Sequence, residues 1–177
     1  MRVLGVDPGT VRTGFGIVEQ DGTRLIGIVA GVLKEKESAS LEIRLKGIFD
    51  GLTEIIRVHQ PTHIAVEDIF FAKFPQAALK LGHARGVALL AAANVGLEVH
   101  AYPPAVVKRA IGGRGHSEKT QVARMVGAIL GWATLPSIDA TDALAVAITH
   151  ANVSSVRSAI LAAPRPKRAY GAKKSRV

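Results

Sequence analysis

Residues 2–33 read RVLGVDPGTVRTGFGIVEQDGTRLIGIVAGVL and decide the fold. A buried strand over residues 2–7 ends at an Asp-Pro-Gly turn, and a second strand runs over about 13–18. The Asp-Gly dipeptide at 21–22 is typical of a hairpin, and a third strand follows over 25–33. This stretch therefore predicts an antiparallel sheet of three strands.

The rest of the chain alternates helices with two more strands. Apolar residues at helical spacing predict a long helix that begins near Ser38 or Ser40 and ends before Pro61. Short apolar runs over 63–68 and 97–101 predict the fourth and fifth strands. This order is similar to that of a ribonuclease H-like fold, which is an α/β fold with a mixed five-stranded sheet and helices on both faces. The other predicted helices cover residues 76–94, a short segment after Pro103 and Pro104, a segment capped by Ser117, and residues 139–152.

The composition limits the possible chemistry. The 177 residues include no cysteine, which excludes disulfides, thiolate metal sites and a cysteine nucleophile. Carboxylates and histidines remain, although the six histidines show no paired metal-ligand spacing along the chain. The sequence has no signal-like leader and no apolar run of about 18 residues, so we expect a cytoplasmic protein that does not contact a membrane.

The net charge of +9 predicts a polyanionic partner, and its distribution is uneven. Residues 155–177 carry seven basic residues and no acidic one, so residues 1–154 keep only +2 of the +9. We expect 1–154 to form one domain and 155–177 to be a disordered basic tail. Local clusters of basic residues inside the domain predict phosphate contacts. These candidates are Lys73, Lys80, Arg85, Lys108, Arg114 and Lys119.

Four acidic residues lie where the predicted elements would let them converge. Asp7 ends the first strand, Glu67 lies near the end of the fourth, and Asp139 and Asp142 share a helix face because they are three residues apart. Phosphodiester hydrolysis benefits from two Mg²⁺ ions about 4 Å apart, for which carboxylate oxygens are suitable ligands. Taken singly, Asp7 could be a turn residue, and Asp139 with Asp142 could cap a helix. Glu67 is harder to explain structurally because an unpaired charge on a central strand is expensive to bury.

Five sequence blocks, in order and spacing, resemble the RuvC family of Holliday junction resolvases. The resemblance covers residues 1–152, which is all of the chain except the tail. The blocks are LGVDPGTVRTGFGIV at 4–18, AVEDIFFAKF at 65–74, ALKLGHARG at 78–86, KRAIGGRGHSEKTQV at 108–122 and DATDALAVAITH at 139–150.

The resemblance implies roles for individual residues. It makes Asp7, Glu67, Asp139 and Asp142 the catalytic acids and the ligands of two Mg²⁺ ions per subunit, with Mn²⁺ as a substitute. Asp68 should point away from Glu67 on the strand, so it is left out of the site.

The resemblance also implies DNA contacts. Lys108 and Lys119 match lysines near the scissile phosphate and the DNA backbone, although a solvated helix face is the structural alternative for either. Phe70 is expected to be exposed and to stack on an unpaired base, a contact worth about 1–3 kcal/mol. Phe74 is expected to be buried, and packing of Phe70, Phe71 and Phe74 together in the core is the alternative.

The function implied by the resemblance is resolution of four-way DNA junctions by paired symmetric nicks that leave a 5′-phosphate and a 3′-hydroxyl. It further implies a homodimer with the 76–94 helix near the contact, and cooperation with the branch-migration proteins RuvA and RuvB. Two alternatives stay open at the level of sequence. One is an RNA-processing nuclease of the YqgF type. The other is a noncatalytic junction-binding protein whose acids only cap helices and form turns.

Overall fold

The computed structural model describes residues 1–68, 75–112, 119–134 and 136–162. The elements in these ranges follow the predicted order of three strands and then alternating helices and strands. They are β1 (Arg2–Asp7), β2 (Arg12–Asp21), β3 (Arg24–Lys34), α1 (Leu41–His59), β4 (His63–Glu67), α2 (Pro75–Ala93), β5 (Val99–Tyr102), α3 (Pro104–Ala110), α4 (Lys119–Leu130) and α5 (Ile138–Ala162).

The strands form one mixed sheet in the order β3-β2-β1-β4-β5. β1, β2 and β3 pair antiparallel, whereas β4 is parallel to both β1 and β5. β1 is central, and its Val3, Leu4 and Val6 side chains are fully buried. A strand buried on both faces reads as a continuous apolar run, which is why the segment before Asp7 lacks polar alternation.

Helices cover both faces of this sheet, as the sequence predicted. On one face α5 packs on β1 and β2, with Leu144 and Ile148 meeting Val3 and Val18 in one buried cluster. The other face carries the apolar side of α1 and the small residues of α2, which form a second buried cluster. Its members include Leu4, Ile17, Ile48, Leu52, Ala88 and Ala92.

β2, β3 and α5 are longer than the sequence predicted. The β2–β3 pairing continues to Asp21↔Arg24 at the hairpin, so both strands are longer than expected. α5 continues to Ala162, ten residues past its predicted end, because the stretch from 153 to 162 contains neither Pro nor Gly. Gln20 of β2 donates a hydrogen bond to the Ser155 hydroxyl, which ties this extension to the sheet. The predicted tail boundary after residue 154 therefore falls inside a helix.

Within the ranges that the structure describes, none of the helices has both the length and the hydropathy needed to cross a membrane.

Candidate active site

The first two acids lie at neighbouring strand ends in the centre of the sheet. Asp7 ends β1 and Glu67 ends β4, and the pairs Val3↔His63 through Val6↔Val66 hold the two strands parallel and in register. Parallel pairing with this register brings the two side chains to the same face, where the Asp7 and Glu67 carboxyl groups are hydrogen bonded to each other.

Glycines bring the other two acids to the same place. A Cβ added at Gly5 would lie 2.0 Å from the Ala143 carbonyl oxygen, and one at Gly14 would lie 2.0 Å from the Asp139 carbonyl oxygen. Gly14 is the pairing partner of Asp7 across the hairpin. The start of α5 therefore rests directly on the sheet backbone beside Asp7, and this approach is possible only because these positions lack side chains.

The electrostatics at Asp7 follow from this convergence. Burial is the main cause that raises the pKa of Asp7, from its ordinary 3.8 to about 8, and the negative charges of Glu67, Asp142 and Asp139 raise it further. The carboxyl group thus keeps a proton at neutral pH. A divalent cation could take the place of that proton, and carboxylate oxygens are the donors that Mg²⁺ and similar hard cations prefer. The four acids therefore fit a metal site.

A cleft of about 230 Å³ opens beside these acids. Lys108, which lies on α3, lines this cleft together with Glu67 and Asp142. An ammonium group beside carboxylates suits a phosphate that approaches them, because it offsets the repulsion between the two anions. The other lining residues are Pro104, Val107, Val122 and Ala145.

The remaining predicted DNA-contacting residues are more scattered. Lys80 is exposed on α2, whereas the half-buried Arg85 donates to the Asp68 carboxylate at 3.2 Å. Asp68 is thus paired with Arg85, and it is not counted among the four acids. Lys119 begins α4, and its side chain is outside the description. The predictions for Phe70, Phe71, Lys73, Phe74 and Arg114 concern positions outside the described residues.

Arg12 is a site residue that the sequence reasoning missed. Its Nε donates to the Asp139 carboxylate at 2.6 Å, and both side chains are partly exposed. The two residues are 127 positions apart, so no local pattern could pair them. Thr13 was also missed. Its hydroxyl donates to the Gly9 carbonyl at 2.7 Å and shapes the turn that follows Asp7.

Comparison with known proteins agrees with this geometry. A family model described as crossover junction endodeoxyribonuclease RuvC matches residues 3–150. The chain belongs to the RuvC family. Among curated RuvC proteins, that of Sorangium cellulosum is 47% identical over 171 residues, which is 96% of each chain. That of Geobacter sp. strain M21 is 48% identical over 161 residues, which is 91% of this chain and 98% of the relative.

Solved RuvC structures share the whole architecture. Thermus thermophilus RuvC superimposes with a TM-score of 0.80 at 36% identity, covering 89% of this chain and 97% of the other. The same protein in complex with a Holliday junction substrate gives a TM-score of 0.81 at 34% identity, covering 88% and 96% of the two chains. The ribonuclease H-like fold and the family resemblance are thereby confirmed.

Proposed function

We propose that this RuvC-family protein is a structure-selective, metal-dependent endonuclease that resolves Holliday junctions by paired symmetric nicks. The observation that carries the proposal is the convergence of Asp7, Glu67, Asp139 and Asp142 on one end of the central strand, next to a cleft lined by Lys108. A protein that only bound junctions would gain nothing from clustered acids that repel phosphate and raise the pKa of Asp7.

The four acids would hold two Mg²⁺ ions, and Mn²⁺ would substitute. When bound, such ions supply activation of the attacking water and charge stabilisation at the leaving oxygen, which yields a 5′-phosphate and a 3′-hydroxyl. The chain itself orients the ligands: β1 and β4 fix Asp7 and Glu67, and α5 fixes Asp139 and Asp142. Lys108 would neutralise part of the charge on the scissile phosphate from within the cleft.

A cleavage assay with Asp7→Asn tests the catalytic assignment. The substrate is a synthetic four-way junction, with linear duplex and RNA as controls, and Mg²⁺ is either present or chelated. We expect the wild-type protein to nick only the junction, symmetrically and only with metal. The variant should bind the junction as tightly but should not cut it.

Asp50→Asn is the matched control, because Asp50 lies on the exposed side of α1 in an ion pair with Lys46 and is outside the site. It should cut as the wild type does. Binding without any nicks by the wild type would favour the noncatalytic alternative, and cleavage of RNA would favour the YqgF-type alternative. Equal loss of binding and cleavage in Asp7→Asn would contradict the catalytic role of Asp7.

The basic residues extend the proposed interface from the cleft along α2 and α4. Lys80 is exposed and available for phosphate contact, and Arg85 would have to exchange its Asp68 partner for a phosphate. We keep Lys119 as a backbone contact and Phe70 as the base-stacking residue on the strength of the family resemblance. Lys73 and Arg114 are kept as phosphate contacts because they belong to local clusters of basic residues.

We further propose a homodimer that is formed through α2. Leu79 and Leu90 are 63% and 54% exposed on this helix, and the intervening Gly82 and Gly86 lie on the same face. A Cβ added at either glycine would meet no heavy atom of the described residues within 4 Å. The face thus combines unburied leucines with room for a second helix, as a twofold contact requires.

Sedimentation of Leu90→Glu tests the dimer. The wild type should sediment as a dimer and the variant as a folded monomer, because a buried carboxylate at the contact would be unpaired. Val153→Glu is the matched control, since Val153 is 43% exposed on α5, on the opposite face of the sheet. A dimer that survives Leu90→Glu would exclude this part of α2 from the contact.

Three further proposals rest on the resemblance and on the charge of the chain. The protein would act in the cytoplasm, where its DNA substrate is found, together with RuvA and RuvB. The nuclease domain would include the described part of α5, and the basic residues that follow it would form a disordered tail.

A further inference from the structure

Three histidines from distant parts of the sequence meet on the α5 face of the sheet. His63 begins β4, His100 lies on β5 and His150 lies on α5. One ring nitrogen from each residue lies within 4.8 Å of the others. The His100 and His150 ring centroids are 4.2 Å apart, and those of His63 and His150 are 5.1 Å apart. Sequence spacing gave no sign of this cluster because each ligand comes from a different element.

The hydrogen bonds around the cluster leave one ring nitrogen of His63 and one of His100 available to a further partner. Nδ1 of His63 lies 2.9 Å from the Thr62 hydroxyl, which leaves Nε2 of His63 for another partner. Nε2 of His100 is buried and, within the described part of the chain, has no hydrogen-bond partner. Burying an imidazole nitrogen without a hydrogen-bond partner is unfavourable in free energy, and a bound cation would supply the missing partner.

His150 has a hydrogen-bond partner on each ring nitrogen, and a cation would replace the longer of the two contacts. The Tyr102 hydroxyl lies 2.9 Å from Nδ1 of His150, and the Ser154 hydroxyl lies 3.2 Å from Nε2. Histidine ligands of metals usually have their second nitrogen held by such an outer partner, and Tyr102 would fill that role. Burial, followed by the proximity of His100 and His63, lowers the pKa of His150 to about 4. Its imidazole is therefore neutral at neutral pH, which is the form that binds metals.

We propose that His63, His100 and His150 form a binding site for a transition-metal cation of the Zn²⁺ class, separate from the catalytic acids. Neutral imidazole nitrogens suit Zn²⁺, Ni²⁺ or Cu²⁺ and do not suit Mg²⁺. Tetrahedral Zn²⁺ with Zn–N bonds of about 2.0–2.1 Å needs nitrogens about 3.3 Å apart, so the rings would close by about 1.5 Å through side-chain rotation. Water or the exposed Glu98 carboxylate, which lies 3.9 Å from Nε2 of His100, would complete the coordination.

Two independent measures separate this site from the carboxylates. His63 and Glu67 are four positions apart on β4, which is about 13 Å at the rise of a strand. Asp142 and His150 are eight positions apart on α5, which is about 12 Å at the rise of a helix. The cation would thus tie together β4, β5 and α5, and two of these elements carry catalytic acids. It would stabilise the fold without entering the reaction.

Zinc titration of the full chain in excess Mg²⁺ tests the site, because Mg²⁺ occupies hard carboxylate ligands and leaves imidazoles free. We expect one Zn²⁺ per chain, a first coordination shell dominated by nitrogen in X-ray absorption, and a melting temperature raised by roughly 5–10 °C at 100-fold saturation. Absence of tight Zn²⁺ binding, or a shell made mainly of oxygen, would overturn the proposal.

Variants locate the bound ion. His63→Gln and His100→Gln should each weaken Zn²⁺ binding at least tenfold and remove the thermal shift, while junction cleavage in Mg²⁺ persists. Two variants are used because each histidine also packs against the sheet, and far-UV circular dichroism checks that each is folded. His59→Gln is the matched control, since His59 ends α1 outside the cluster. Unchanged Zn²⁺ affinity in both cluster variants would place the ion elsewhere.

Discussion

Asp7→Asn should change how the stability of the metal-free protein depends on pH. Asp7 has a pKa of about 8 in the folded protein and about 3.8 when unfolded, so between these values the folded state binds the extra proton. Stability from this proton is present in full below pH 4 and is lost as the pH rises towards 8. Since each pKa unit corresponds to about 1.4 kcal/mol, the wild type should lose about 3 kcal/mol between pH 5 and 7 from this group.

Asparagine cannot ionise, so the variant should lack this loss. For a chain of this size about 3 kcal/mol corresponds to roughly 6–12 °C in melting temperature. In thermal melts in chelator at pH 5, 6 and 7, the melting temperature of the variant should therefore rise relative to that of the wild type by this amount as the pH increases. Saturating Mg²⁺ should restore the wild type at pH 7, because the cation takes the place of the proton. If the melting temperatures of the two proteins changed in parallel with pH in chelator, the electrostatic account would be refuted. Asp50→Asn is the control and should follow the wild type at every pH.

Three further substitutions probe the site. Gly14→Ala puts a Cβ 2.0 Å from the Asp139 carbonyl oxygen. It should therefore lower stability by about 1–3 kcal/mol and, by shifting α5, slow cleavage by roughly 10²-fold. Gly47→Ala is the control, because its nearest atoms belong to the Glu35 side chain, and it should change neither stability nor cleavage in this way. Lys108→Ala should slow single-turnover cleavage of bound junction by about 10²-fold with little change in affinity, whereas Arg109→Ala on the exposed side of α3 should not. Asp68→Asn should cut within a few-fold of the wild-type rate, and complete loss of cleavage would show that Asp68 belongs to the site.

The order of elements and the convergence of acids could be predicted because both have local causes. The Asp-Gly hairpin at residues 21 and 22 requires β2 and β3 to pair antiparallel, and the uninterrupted apolar run before Asp7 marks a central strand. The candidate carboxylates then follow from strand ends and from the spacing of Asp139 and Asp142 on a helix. The glycines that bring α5 onto the sheet are visible in the sequence, but their partner atoms are not.

Contacts between distant residues could not be predicted. Arg12 and Asp139 are 127 residues apart, and the three clustered histidines lie on two strands and a helix that meet only in the folded chain. The length of α5 was underestimated for a different reason. Its Ala- and Ser-rich continuation resembles linker composition, yet its packing against β2 through Ser155 favours the helix.

The Arg12–Asp139 ion pair distinguishes Asp139 from the other acids of the candidate site. Asp7 and Glu67 end paired strands and are joined by a hydrogen bond, so their backbones cannot shift without disrupting the sheet. Asp139 instead lies at the start of α5, where its partly exposed carboxylate is held by a guanidinium that is 48% exposed. An ion pair of this exposure contributes only about 0–1 kcal/mol, so a bound cation or a DNA phosphate could separate it at small cost. Arg12 could then turn from Asp139 to the phosphate backbone, which would couple arrival of the substrate to release of the fourth acid. Of the acids whose partners the structure describes, Asp139 therefore has the more easily exchanged one, whereas Asp7 and Glu67 hold each other.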